Sequence, residues 1–186
     1  MHVLEAIRSR RSVRSYAAGK PIPAEVMARM RQALRLAPSA CNIQPWHFIL
    51  VTDGSLRRHV AQAAKGQDWV AQAPVLVVGC GFPGKAYQRM GGYGNSVDVD
   101  LAIALDHLTL AAVAEGLGTC WIGAFDEARV KRLLGIPEDV KVVAMTPLGY
   151  PSSDDLNHPV DPGLRKSEGE LFSTDRYGNP LAGDRM

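Results

Sequence analysis

The stretch VDVDLAIALDHLTLAAVAE, residues 97–115, constrains this chain more than any other. At helical spacing Val97, Leu101, Leu105, Leu108 and Ala112 mark one apolar face, while Ile103, Leu110 and Val113 mark another. A helix apolar on both sides must be enclosed, either at the centre of the fold or against a partner chain. Asp98, Asp100 and Asp106 break that pattern and call for a reason of their own. A length of 186 residues fits a single domain, 1–186, with a sizeable core around such a helix.

The other elements alternate between two apolar periods. Residues 24–36 predict a helix with Val26, Met27, Met30, Ala33 and Leu34 on one face, just after Pro23. WHFILVT, 46–52, reads as a buried strand, and residues 55–65 as a helix (Leu56, Val60, Ala63, Ala64) closed by Gly66. PVLVVGC is the next strand and TCWIG, 119–123, a short one. Asp126 then caps a helix carrying Val130, Leu133 and Leu134 that ends at Gly135, and VKVVAMTPLGY, 140–150, is the last strong strand. Near the start, a first helix turns Val3, Leu4 and Ile7 toward a core and leads into a basic loop. From Pro151 onward Pro, Asp, Ser and Gly prevail, so 151–186 reads as a C-terminal arm.

Composition removes several classes of function. Hydrophobic residues make up 46% and charged ones 22%, as in ordinary soluble domains. A net charge of +2 is too small to argue for nucleic acid, and the arginines lack interleaved aromatics. Cys41, Cys80 and Cys120 are widely spaced, which speaks against a disulfide framework or zinc and suits a reducing cytoplasm. His47, His59, His107 and His158 form no sequence-local ligand pair, so no metal is expected. No apolar run is long enough to span a bilayer. The basic start (Arg8, Arg10, Arg11, Arg14, Lys20) looks like a transit peptide, but a basic loop after a helix accounts for it better.

Residues 75–84, VLVVGCGFPG, form an apolar run into G-x-G-x-x-G, the pattern of a dinucleotide site. Its context fails. After Gly84 only KAYQRM is available as a helix before GGYG, and no strand precedes Asp98 or Asp100. Pro83 also occupies the turn that should offer free amides to a pyrophosphate. The glycines then mark a strand exit where a ligand or partner backbone comes close.

Two other clusters suit an anion. RSRRSVRSY sets Arg10, Arg11, Ser12 and Arg14 in one short turn, and Arg165-Lys166 stands in the tail. Arginine forks plus a hydroxyl match a phosphate monoester, although a solvated basic loop has the same sequence. LAPSACNIQPWHF, 36–48, places Pro38, Ser39, Asn42 and Gln44 in a turn before a strand. Such groups read hydroxyls and heterocycle edges, or else simply form a polar turn beside a core Trp46.

RRSVRSY, APSACNIQPWHF, AEGLGTCWIGAF and PLGYP…LRKSEGE, in that order and spacing, resemble the FMN-dependent nitroreductase family from about residue 2 to residue 178. The resemblance implies an α+β fold, a mixed and mainly antiparallel sheet flanked by helices, built as an intertwined homodimer with two FMN molecules at its interface. It implies that Arg10, Ser12 and the Arg165-Lys166 pair hold the phosphate and that Arg14 lies toward the flavin's pyrimidine edge. Ser39, Asn42 and Gln44 would come from the partner subunit, and the backbone of Trp121-Ile122-Gly123 would face the ring, one amide donating to N5. Helix 97–115 would be the central dimer helix.

The implied activity is electron transfer from NAD(P)H to nitroaromatic, quinone or flavin-type acceptors by a ping-pong mechanism. FMN carries the chemistry, no side chain acts as a catalytic acid, base or nucleophile, and Arg14 tunes the flavin. Cys41 and Cys120 read as packing residues. The alternatives are a non-catalytic FMN carrier and a dehalogenase-like or other specialised member of the same family. The family often has proline after the tail's basic pair, where Ser167 stands, and the mid-chain insertion is too short for an elaborate substrate lid.

Overall fold

Every residue of Val75–Gly81 is buried, and that is why the segment is an unbroken apolar run: it forms the strand β2, covered on both faces. The computed structural model describes residues 1–181, so the end of the expected arm, 182–186, lies outside the described residues. β1 (Trp46–Val51), β3 (Gly118–Thr119) and β4 (Lys141–Gly149) complete an antiparallel sheet in the order β1-β2-β4-β3. Gly79 pairs with Ala144 and Cys80 with Val142, so Val143 is the extra residue of a bulge.

The helices in chain order are α1 (Val3–Ser9), α2 (Ala24–Arg35), α3 (Gly54–Ala63), α4 (Val97–Ala114), α5 (Glu127–Leu134) and α6 (Glu168–Leu171). They lie on both faces of the sheet. Leu76, Val78 and Cys80 of β2 join Val60 and Ala61 of α3 and Val130 of α5 in one core. Val75 and Val77, on the opposite face, join Met30 and Leu34 of α2 and Leu101, Leu105 and Leu108 of α4 in a second. Asp126 and Gly135 bound α5 as expected, whereas α3 gains a cap at Asp53 that was not expected and ends at Ala63, short of Gly66. Asp53 accepts the Leu56 amide at 2.7 Å, Asp126 accepts that of Arg129 at 3.0 Å, and Gly135 closes α5 at φ 65°. No helix among the described residues is long and apolar enough to cross a membrane.

Three local expectations change. Val3, Leu4 and Ile7 do not face a core: they are 57%, 54% and 52% exposed, and only Ala6 of α1 is buried. The short helix leans on α4 by its small side, and its large side chains point away. β1 is a half-buried edge strand rather than a buried one, since only β2 flanks it. The expected strand 119–123 stops at Thr119 and re-pairs only at Ile122, opposite Met145. The cause lies across the ladder. In that register Cys120 stands opposite Pro147, which has no N–H, and the Cys120 amide turns to the Thr146 hydroxyl oxygen at 3.1 Å.

The glycines at the end of β2 are also explained. A Cβ on Gly79 would sit 2.5 Å from Leu101 Cδ2, and one on Gly81 only 2.4 Å from Val97 Cγ2. What comes close is α4, rather than a ligand or a partner backbone. At Gly84 a Cβ would meet nothing within 4 Å, so that glycine answers no packing constraint of this kind. Gly81→Ala should therefore cost about 1–3 kcal/mol of stability through overpacking, whereas Gly84→Ala stays within about 0.5 kcal/mol of the parent. Urea unfolding of the two variants beside the parent protein checks both.

Candidate functional site

The basic loop is positioned by alternation along an extended segment. Val13 points inward, 1% exposed, and its N–H donates to the Thr119 carbonyl at 2.9 Å, laying the loop along the free edge of β3. Ser12 and Arg14, one residue to either side, point outward. Gly118 permits the approach, since a Cβ there would lie 2.7 Å from Val13 Cγ2. Buried Tyr16 locks the loop from below by donating its hydroxyl to the Val13 carbonyl at 2.8 Å. Burial, and then nearby Cys120, hold that phenol well above its ordinary pKa against the pull of Arg14, so it remains a donor.

The tail returns over this loop. The Val160 amide donates to the Arg8 carbonyl at 3.0 Å, that of Ser152 to Ser15 at 3.1 Å, and Asn157 Nδ2 to the Leu117 carbonyl at 3.1 Å. Between loop and tail lies a cleft of about 620 Å³. Arg10, Arg11, Ser12, Arg14 and Arg165 line it together; Lys166 is exposed and does not. None of the four arginines forms an ion pair among the described residues. Arg11 differs from the rest. Two of its guanidinium nitrogens donate to the carbonyls of Arg8 and Arg10 at the end of α1, and its Nε is buried without a partner. Burial, then Arg10 and Arg165, press its pKa below the usual guanidinium range. Asp155, His158 and Asp161 also line the cleft, and sequence alone did not point to them. They carry no motif, and only the course of the tail brings them there.

Beyond Thr119 the backbone leaves donors free. The Ile122 amide donates to the Met145 carbonyl at 2.8 Å and is committed to the sheet. By strand alternation the amides of Trp121 and Gly123 point the other way, toward the open edge, and neither has an acceptor among the described residues. Cys120 is buried beneath this edge, 4% exposed. Burial raises its pKa, while the charge of Arg14 and hydrogen bonds from Ser12 and Arg14 pull it down.

Pro38, Ser39, Asn42 and Gln44 do not line this cleft. They form a separate exposed turn in which Gln44 donates its amide to Ser39 Oγ at 2.8 Å and its Nε2 to Asn42 Oδ1 at 3.0 Å. Cys41, Asn42 and Gln44 have φ of 52°, 55° and 53°, the left-handed region, at about 1 kcal/mol or more each. No glycine announced that strain in the sequence. Cys41 itself is exposed, so the packing role expected for it holds only for Cys120. Among the described residues no group of three or more His, Cys, Asp or Glu is placed to hold a metal ion.

Comparison with known proteins points to one family. The model of the nitroreductase family matches residues 7–74 and 61–150. A protein of Methanothermobacter thermautotrophicus whose name includes NADH dehydrogenase/NAD(P)H nitroreductase is 34% identical over 180 residues, 95% of this chain and 85% of that one. The FMN reductase [NAD(P)H] of Bacillus subtilis is 29% identical over 84% of this chain and 69% of its own. Among solved structures, the NADPH:FMN oxidoreductase of Vibrio harveyi complexed with NAD+ superposes with a TM-score of 0.80 at 29% identity, covering 94% of this chain and 77% of that one.

The thiols supply a test of the described packing. Burial pushes Cys80 up to about 11, which at pH 8 leaves roughly one thiolate in a thousand, and Cys120 is raised by the same cause. The native protein should thus show at most one fast-reacting thiol with a disulfide reagent at pH 8, from Cys41, and three after denaturation. Labelling followed by peptide mass mapping assigns them.

Proposed function

The chain belongs to the nitroreductase family, and on that premise we propose that it is an FMN-dependent oxidoreductase carrying electrons from NAD(P)H to a small acceptor such as a nitroaromatic, quinone or flavin. The observation that carries this reading is the cleft in which Arg10, Ser12, Arg14 and Arg165 converge without any countercharge pairing them. Such a donor set fits a compact phosphate monoester rather than a pyrophosphate, and no phosphate cradle is offered at 79–84, where Gly79 and Gly81 serve packing. The FMN reductase and NADPH:FMN oxidoreductase among its relatives support the same cofactor.

Arg10, Ser12 and Arg165 hold the phosphate in this reading, with Arg11 bracing the loop through the carbonyls of Arg8 and Arg10. Arg14, further along the same edge, brings its charge toward the ring, and the free amides of Trp121 and Gly123 donate to ring acceptors. When bound, FMN supplies the redox chemistry itself, accepting electrons from NAD(P)H and delivering them to the acceptor. The chain contributes binding, orientation and field, and donor and acceptor use one slot in turn, in ping-pong order.

The functional unit in this proposal is a homodimer. Val99 of α4 is 43% exposed, and Ile103 and Leu110 on the same side are only partly covered. The apolar side of α1 is bare, as are Leu164, Leu171 and Phe172 of the arm, 72%, 57% and 55% exposed. A second copy covers these faces and brings its own turn Ser39–Gln44 to the arginine cleft, which one chain cannot do for itself. An interface of this kind buries more than roughly 2,000 Å².

Sedimentation at micromolar concentration is expected to return a dimer; a stable FMN-loaded monomer would refute that part. Arg10→Ala loses charge-assisted hydrogen bonds worth about 1.5–3 kcal/mol, or about 10–100-fold in FMN affinity, and should yield colourless protein that added FMN restores. Arg14→Ala should remain yellow, with a lowered flavin potential and slow turnover even at saturation. Potentiometry and FMN titration separate the two, and equal loss of FMN with an unchanged potential would overturn this division. FMN-loaded protein that oxidises NAD(P)H with neither a nitroaromatic nor a quinone would be a carrier instead.

A further inference from the structure

Three carboxylates stand on α4, and their surroundings differ. Asp98 is exposed and pairs with Lys141 at 2.7 Å, and exposed Asp106 lies within 3.3 Å of the Thr109 hydroxyl. Asp100 alone is buried, 2% exposed. Its Oδ1 accepts the Ala40 amide at 2.9 Å and its Oδ2 the Ser96 hydroxyl at 2.6 Å. Burying a carboxylate is costly, and the two donors together with its place in the first turn of α4, at the positive end of the helix dipole, are what make it tolerable.

The Ala40 amide belongs to the strained turn that carries Ser39, Asn42 and Gln44. The turn's other hydrogen bonds are local: Asn42 N–H to Ser39 O, Ile43 N–H to Ala40 O, Trp46 N–H to Gln44 O, and the Gln44 contacts with Ser39 and Asn42. Among the described residues, the bond to Asp100 is the one that ties Ser39–Gln44 to a distant part of the chain. Local bonds alone do not select three left-handed non-glycine residues over relaxed alternatives, whereas an anchor on a central helix does. Ser96 extends the anchor. Its hydroxyl accepts the Tyr87 amide at 3.2 Å, and its own amide donates to the Tyr87 carbonyl at 2.9 Å, so the segment before α4 shares the same support.

We infer that Asp100 is the positioning residue that holds the Ser39–Gln44 turn in its ligand-ready shape, through the Ala40 amide. The inference rests on the reading that this turn serves FMN, and it deepens that reading by tying the turn to the helix at the proposed dimer interface. Asp100 itself touches no ligand; it acts through Ser39, Asn42 and Gln44.

Hydrogen exchange in flavin-free protein and FMN titration together test it. Asp100→Ala should raise amide exchange in peptides covering 39–44 about tenfold, leave β2 protected, and weaken FMN binding about tenfold. Asp100→Asn should stay near the parent in both, because its amide oxygen still accepts from Ala40 while its NH2 can donate to the Ser96 oxygen. Ala40→Pro removes the donor and leaves Asp100 intact. Proline suits the first position of the short 3₁₀ turn there, and the variant should match Asp100→Ala, with the double variant no worse. If Asp100→Ala does not fold, Ala40→Pro and Asp100→Asn carry the test. Unchanged exchange at 39–44, unchanged FMN affinity despite faster exchange, or an asparagine variant as damaged as a deletion of the donor would each overturn the inference. A parent protein that binds no FMN would sink the proposed function instead, and the exchange data would still judge the anchor.

Discussion

α4 lies against β2 at a distance that only glycine permits, and most of the architecture follows from that contact. With hydrogens at Gly79 and Gly81, the side chains of Val97 and Leu101 reach the strand's backbone surface. The helix therefore enters the second core along much of its length, from Leu101 to Ala112. Its opposite side, at Val99, Ile103 and Leu110, remains incompletely covered by α1 and the rest of the described chain. A pattern that looks like a nucleotide-binding loop in one dimension is a packing requirement in three. The bulge at Val143 falls at this same end of the sheet, where the pairing of β2 with β4 adjusts between Gly79 and Cys80.

The opposite edge of the sheet carries the site, and a proline shapes it. Pro147 ends regular pairing between β3 and β4 after Thr119, and the chain from Cys120 to Gly123 leaves the ladder except at Ile122. Thr119 has its carbonyl occupied by Val13, so the arginine loop continues the sheet where a further strand would otherwise lie. Ser12, Arg14 and the amides of Trp121 and Gly123 thus share one rim. The tail then covers the rim with Arg165. A polar, strongly cationic cleft forms beside an apolar sheet, with exposed Arg14 and Arg165 reachable by water and by an anionic ligand and Arg11 partly desolvated.

Along the chain, the elements were legible where their cause is local. Asp126 and Gly135 cap and stop α5 by contacts within a few residues, and the continuous apolar run Val75–Gly81 marked a strand in composition alone. The helix 97–115 showed that it must be enclosed and that it carries a second apolar face, although Val113, expected on that face, is buried and Val99 is exposed instead. The errors are of the opposite kind. Val3, Leu4 and Ile7 have the period of a core-facing helix, but no described part of the chain reaches over them. TCWIG has strand propensity, but its partner strand offers a proline at the decisive rung.

The chemistry available was written in the sequence: arginine forks and a hydroxyl near the start, a cation in the tail, short polar groups in a turn, and motifs ordered as in one family. How these groups combine came from the tertiary structure. It joined Arg165 rather than Lys166 to the N-terminal arginines, recruited Asp155, His158 and Asp161, and kept Ser39, Asn42 and Gln44 apart from them. It also assigned the three aspartates of α4 to an ion pair, a hydroxyl contact and a buried anchor. The physical reason is range. Caps, periods and charge depend on neighbours along the chain, whereas a cleft, a strained turn or a buried carboxylate depends on groups brought together from segments that carry no record of one another.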